Sequence, residues 1–121
     1  MVRQSRLRSR FMNIDVLRLS ILTVLAGGKQ HGYGLLRQIE ELSSASVRPA
    51  TGTLYRVLDL LERDGLIIED GGEVIDGRFR RYFALTAAGR DELAASVALF
   101  GEITANAKQR LARRSPATPA R

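Results

Sequence analysis

The chain has 121 residues, of which 45% are hydrophobic and 26% charged, with a formal net charge of +6, so it is one domain of ordinary globular composition with at most a short appendage. It has no cysteine and one histidine, His31, which excludes disulfides and thiolate zinc sites and argues against any His-based catalytic or metal cluster; no cofactor and no metal are expected. No apolar run approaches the ~18 residues of a membrane helix, and no secretory apolar segment follows the arginine-rich start, so a cytoplasmic protein without a membrane partner is the expectation.

Residues 1–12 read as a basic N-terminal arm. Arg3, Arg6, Arg8 and Arg10 stand there without an acid. Residues 108–121 are likewise purely basic, with Lys108, Arg110, Arg113, Arg114 and Arg121, whereas residues 12–107 carry 10 basic and 13 acidic side chains. The basicity therefore lives at the two ends, and any face for an anionic partner on the globular part must be local. The arm could follow a DNA minor groove or be a solvated tail.

Ile14, Leu17, Ile21 and Leu25 recur at helical spacing, which predicts a first helix over about 13–26, with Asn13 or Asp15 as cap and Gly27-Gly28 as its stop. Residues 29–32 read as a connector. A second helix is predicted over about 32–42, with Leu35, Leu36, Ile39 and Leu42 inward. A third spans about 50–63, with Pro49 in its first turn, the apolar stripe Leu54, Val57, Leu58 and Leu61, and Gly65 at its C-terminal end. The period then changes to two. Residues 66–68 and 78–85 read as strands around a turn region bracketed by Gly71, Gly72 and Gly77, with Phe79, Phe83 and Leu85 on one face and Arg81 interrupting it. Thr86 can cap a final helix over about 87–112, roughly 39 Å long. Residues 114–121 read as a disordered tail.

Three short helices followed by a β-hairpin predict a mainly α (α+β) winged helix-turn-helix, over residues 13–86, with a long C-terminal dimerisation helix over 87–113. In that arrangement the third helix can enter a DNA major groove with the hairpin, or wing, beside it. Thr51, Thr53, Tyr55, Arg56, Asp59 and Arg63 are expected on its outward face, with Gly52 allowing close backbone approach. Leu93, Val97, Phe100, Thr104, Ala107 and Leu111 repeat at spacings of 4, 3, 4, 3 and 4, broadened by Leu99 and Ile103. Such a stripe outside a three-helix core asks for a partner, and the symmetric solution is a homodimer.

The segments His31-Gly32-Tyr33-Gly34-Leu35, Gly52-Thr53-Leu54-Tyr55-Arg56-Val57-Leu58, Leu61-Glu62-Arg63-Asp64-Gly65-Leu66-Ile67 and the strand running from Gly77 through Arg78-Phe79-Arg80-Arg81-Tyr82-Phe83-Ala84-Leu85-Thr86 resemble the PadR family of bacterial transcriptional regulators, in unbroken order over roughly residues 14–105. The length resembles the short subfamily, in which one C-terminal helix supplies the dimer interface. The resemblance implies a dimeric DNA-binding repressor of a neighbouring operon, often one for a detoxification enzyme or exporter, and in some members release by a small aromatic compound. Arg56 departs from a proline common after Leu-Tyr, Phe83 from a second tyrosine, and no tryptophan stands in the final helix, where Phe100 occupies that region.

The candidate DNA-binding residues are Tyr33, Thr51, Thr53, Tyr55, Arg56, Arg78 and Arg80. His31 reads as a cap or packing residue. The dimer candidates are the six stripe residues from Leu93 to Leu111, and Phe100 with Val97 are the candidates for a small planar aromatic effector near the dyad. Glu69, Asp70, Glu73 and Asp76 make the wing acidic, which counts against phosphate contact at its tip. The alternative from another class is a winged-helix module that docks protein without binding DNA.

Overall fold

The computed structural model describes residues 14–113. The N-terminal arm, the Asn13 cap and the tail lie outside them. The elements are α1 (Ile14–Ala26), β1 (Gln30–His31), α2 (Gly32–Leu42), α3 (Thr51–Arg63), β2 (Ile67–Ile75), β3 (Arg78–Leu85) and α4 (Ala87–Arg113). This is a winged helix-turn-helix with a long last helix, as the sequence predicts.

Helix α1 is the centre of the core. Leu17, Ile21, Leu22, Val24 and Leu25 are all buried, so apolar side chains cover most of its circumference. It touches α2, α3, α4 and β3. Leu35 and Ile39 of α2 and Leu54, Val57, Leu58 and Leu61 of α3 close the core around it. Leu42 is an exception to the predicted stripe, being 48% exposed. The chain leaves the helix at Ser43, whose hydroxyl accepts the Val47 N–H at 3.0 Å, and Val47 takes the buried place instead. Pro49 also falls outside the first turn of α3, because Ala50 is the N-cap. At the other end, the Leu66 N–H donates to the Leu61 carbonyl and the Gly65 N–H to that of Glu62, with Gly65 at φ +77°. That is a Schellman ending, and the positive φ is why glycine stands there.

The wing differs from its sequence reading. The turn is the two-residue Asp76-Gly77 step, with positive φ at both residues, as a type I′ hairpin requires. Gly71 and Gly72 do not bracket it. They lie within β2 at a bulge, where Asp70 and Gly71 together oppose Tyr82 between the Glu69–Phe83 and Gly72–Arg81 pairs. A sequence window sees glycine as a break, whereas the positive φ of Gly71 lets the strand continue for nine residues. The two-residue β1, too short to show any period, pairs Gln30 with Phe83 and His31 with Tyr82. It converts the hairpin into a three-stranded antiparallel sheet of order β1-β3-β2.

The Thr86 hydroxyl caps α4 by accepting the Gly89 N–H at 3.0 Å, while donating to the Gly65 carbonyl at 2.7 Å. A methyl group on Gly89 would overlap the Leu66 carbonyl, so the first turn of α4 lies directly on the start of the wing. Leu93 packs on the core. Every residue from 97 to 113 is exposed. No helix among the described residues is long and apolar enough to cross a membrane.

Candidate nucleic-acid interface

Helix α3 presents Thr51, Arg56, Asp59 and Arg63 to solvent, with Thr53 half-buried. Tyr55, expected on the outward face, is only partly exposed and packs against the core. Its hydroxyl lies so close to Gly32 that a side chain there would overlap it. The reason is angular: Tyr55 follows the buried Leu54 and precedes Leu58 by three, so its ring falls at the edge of the apolar stripe. Tyr55 thus joins α3 to the start of α2, and the groups it leaves outermost are Arg56 and its helical neighbours.

The start of α2 and the wing form a second group. His31 caps α2, its Nδ1 accepting the Gly34 N–H at 3.0 Å. Its ring stacks on Tyr33 at 6.4 Å and meets Tyr82 edge-on at 5.5 Å. The Arg80 guanidinium lies 5.8 Å from the Tyr33 ring and the Lys29 ammonium 5.5 Å from that of Tyr82. Tyr33 remains 59% exposed. The structure therefore brings together Tyr33 and Arg80 of the predicted set and adds Lys29 and Tyr82, which sequence reasoning passed over. Their signal could be found only in the pairing of β1 with β3, since 50 residues separate His31 from Arg81 and its neighbours in the chain.

The three wing arginines have different duties. Arg81, which interrupts the inward face, donates to Glu69 at 2.5 Å and lies over the Phe83 ring at 5.3 Å. Arg78 is exposed, and neither it nor Arg80 forms an ion pair among the described residues. The Nε of Arg80 is buried without a hydrogen-bond partner. The wing's negative charge is largely engaged locally: Glu69 by Arg81, Asp70 by Lys29 at 4.0 Å, and Glu73 by the Tyr82 hydroxyl. That hydrogen bond, with some loss of hydration and the carboxylate's own charge, raises the Tyr82 pKa and keeps the phenol a donor. Of the four wing acids only Asp76, in the turn, has no such partner among the described residues.

On α4, the predicted stripe divides. Leu93 belongs in part to its own core, while Val97, Phe100, Thr104, Ala107 and Leu111 are exposed, together with Leu99 and Ile103. Phe100 also faces α1: with Leu19, Leu22 and Ser96 it lines a cleft of about 180 Å³ between the two helices. No group of three or more His, Asp or Glu side chains able to hold a metal occurs among the described residues.

Comparison with known proteins places this architecture. The transcriptional regulator YqjI of Escherichia coli (strain K12) is 39% identical over 69 residues, covering 54% of this chain and 33% of that protein, so the match spans about a third of its length. The transcriptional regulator Rv3488 of Mycobacterium tuberculosis is 43% identical over 77 residues, covering 64% of this chain and 68% of that protein. Among solved structures, smu.1704 from Streptococcus mutans UA159 shares the fold with a TM-score of 0.72 at 20% identity, over 88% of this chain and 96% of that one. Bacillus subtilis PadR, solved in complex with operator DNA, shares it at 0.60 and 20% identity, over 88% of this chain and 51% of that one. The Transcriptional regulator PadR-like family matches residues 21–95. With that match over most of the winged-helix unit, the chain belongs to the PadR-like family of transcriptional regulators.

Proposed function

We propose that this regulator binds double-stranded operator DNA as a homodimer in the cytoplasm and represses a nearby operon, with a small planar aromatic molecule as the releasing effector. Residues 13–86 form the DNA-binding unit and 87–113 the dimerisation helix. The observation that carries the reading is the set of arginines left free. Arg18, Arg37, Arg48 and Arg81 are held in ion pairs, whereas among the described residues Arg56, Arg63, Arg78, Arg80, Arg90, Arg110 and Arg113 enter none, and of these Arg56 and Arg63 belong to α3 and Arg78 and Arg80 to the wing. A guanidinium fork on an exposed helix face suits a guanine edge, while Arg80, beside Tyr33, and Arg78, next to the wing turn, suit phosphates. The likeness to Bacillus subtilis PadR, solved on its operator, supports the same use of the fold.

Arg56→Ala is expected to weaken binding to the chain's own promoter fragment by about 1–3 kcal/mol while relaxing selectivity at one base pair. Arg80→Ala is expected to weaken binding to every sequence and to lower the salt slope by about one. Titrations of specific and random duplexes at several salt concentrations separate the two. Equal losses on both DNAs for both substitutions would remove the reading role from Arg56.

The α1–α4 cleft is smaller than the ~300 Å³ at which small-molecule pockets begin, so an aromatic effector at Phe100 and Val97 requires the second copy to complete its walls. Planar dyes are expected to quench or stabilise the parent dimer and not Phe100→Ala. A dimeric Phe100→Ala protein that binds them as well as the parent overturns this placement. One observation favours the protein-docking alternative: Val74 and Phe79 pair across the wing near its tip, and both are largely exposed. Absence of salt-dependent binding to promoter DNA would establish that reading over the first.

A further inference from the structure

The buried side chains of α3 define which way it points. Leu54, Val57, Leu58 and Leu61 face the core. At about 100° per residue, the positions directly opposite are Gly52, Arg56, Asp59 and Arg63, and all four are exposed. They follow one another at spacings of four, three and four, so they make a single row along the outermost line of the helix. Nothing lies within 4 Å of a Cβ placed on Gly52, which leaves the start of the row open. The centre of the row is an acid between two arginines. Asp59 is three residues from Arg56 and four from Arg63, yet none of the three enters an ion pair or side-chain hydrogen bond among the described residues.

Resting on the DNA-binding reading above, we infer that Asp59 selects the operator by accepting a hydrogen bond from the amino group of a cytosine in each half-site. A carboxylate can only accept. On the major-groove floor, donors are offered only by cytosine N4 and adenine N6, while guanine and thymine present acceptors. Adenine places its N7 acceptor beside the amino group and so repels the second carboxylate oxygen. Cytosine presents a carbon there and does not. The guanine paired with that cytosine turns O6 and N7 into the same groove, where Arg56 or Arg63 supplies the matching fork. Asp59 also acts by rejection: in front of any other base its charge meets acceptors and phosphates, with desolvation unrepaid. A row of arginines alone would bind many sequences, and the acid narrows the choice.

The test is selection of randomised duplexes by the full-length wild type, Asp59→Ala and Asp59→Asn, with affinities measured for the selected and random DNA. The wild type is expected to enrich a half-site with an obligatory cytosine. In Asp59→Asn the preference at that position moves to adenine, whose N6 and N7 an amide matches. In Asp59→Ala the discrimination there falls on the order of tenfold, and both variants bind random DNA more tightly than the parent. Since Asp59 is exposed and has no side-chain partner among the described residues, both variants keep the parent's unfolding midpoint. If the wild type enriches a motif and both variants enrich the same motif with the same discrimination, the role of Asp59 is overturned and the DNA-binding reading stands. If the wild type enriches nothing even at low salt, the DNA-binding reading fails and this inference with it.

Discussion

Placing aspartate at both Val97 and Thr104 is expected to convert the proposed dimer to monomers and to weaken operator binding about 10²–10⁴-fold, the range that linking two binding heads commonly adds. Both positions are exposed within the single chain, so neither substitution removes a contact of the winged-helix core. Their effect falls on α4, where, among the described residues, every position from 97 onwards is exposed and only Phe100 is seen to face another helix of its own chain. A bare helix of that length is marginal in water, and a two-fold interface would cover it. Symmetry doubles the damage: each aspartate meets its own copy or the other across the axis, bringing four like charges to an apolar seam. Sedimentation gives the assembly state, and binding to a whole and a half operator gives the loss of linkage. A variant that stays dimeric, or binds the whole operator as the parent does, overturns the assignment of α4 as the interface.

Phe83→Ala is expected to cost about 3–5 kcal/mol of folding stability, as truncation of a buried aromatic does. Phe79→Ala, four residues earlier on the same face of β3, is expected to stay within about 0.5 kcal/mol, the range of ordinary surface changes. Phe83 is 1% exposed and Phe79 is 69% exposed. Phe83 lies in the central strand of the sheet, paired with Gln30 on one side and Glu69 on the other, and belongs to the core built on α1. Phe79 lies out along the wing, paired with Val74 beyond the reach of the helices. A typical domain of this size has only ~5–15 kcal/mol in total, so Phe83→Ala alone removes a large fraction. Urea midpoints for the two variants test the contrast, and equal losses would show that the wing tip is packed in solution.

The elements of this protein and their order were legible in the linear pattern. Leu54, Val57, Leu58 and Leu61 mark α3, Gly65 marks its end and Thr86 the start of α4, and the motifs through Thr53-Leu54-Tyr55 and Arg80-Arg81-Tyr82 carry the family resemblance. These signals are local: apolar periodicity, a capping hydroxyl and a left-handed glycine each act within a turn or two of the chain. The candidate site was legible in its residue types and less so in its geometry. Which of the three wing arginines is neutralised depends on Glu69, twelve residues from Arg81, and on a bulge that slides the register between them. Whether Tyr55 faces outward depends on Gly32 leaving room for its hydroxyl. That Lys29, His31, Tyr33, Arg80 and Tyr82 form one cluster depends on a two-residue strand. Local pattern records which side chains a segment would bury. Only tertiary packing decided which polar ones meet, because a hydrogen bond or ion pair across the chain depends on register and distance, which no single segment contains.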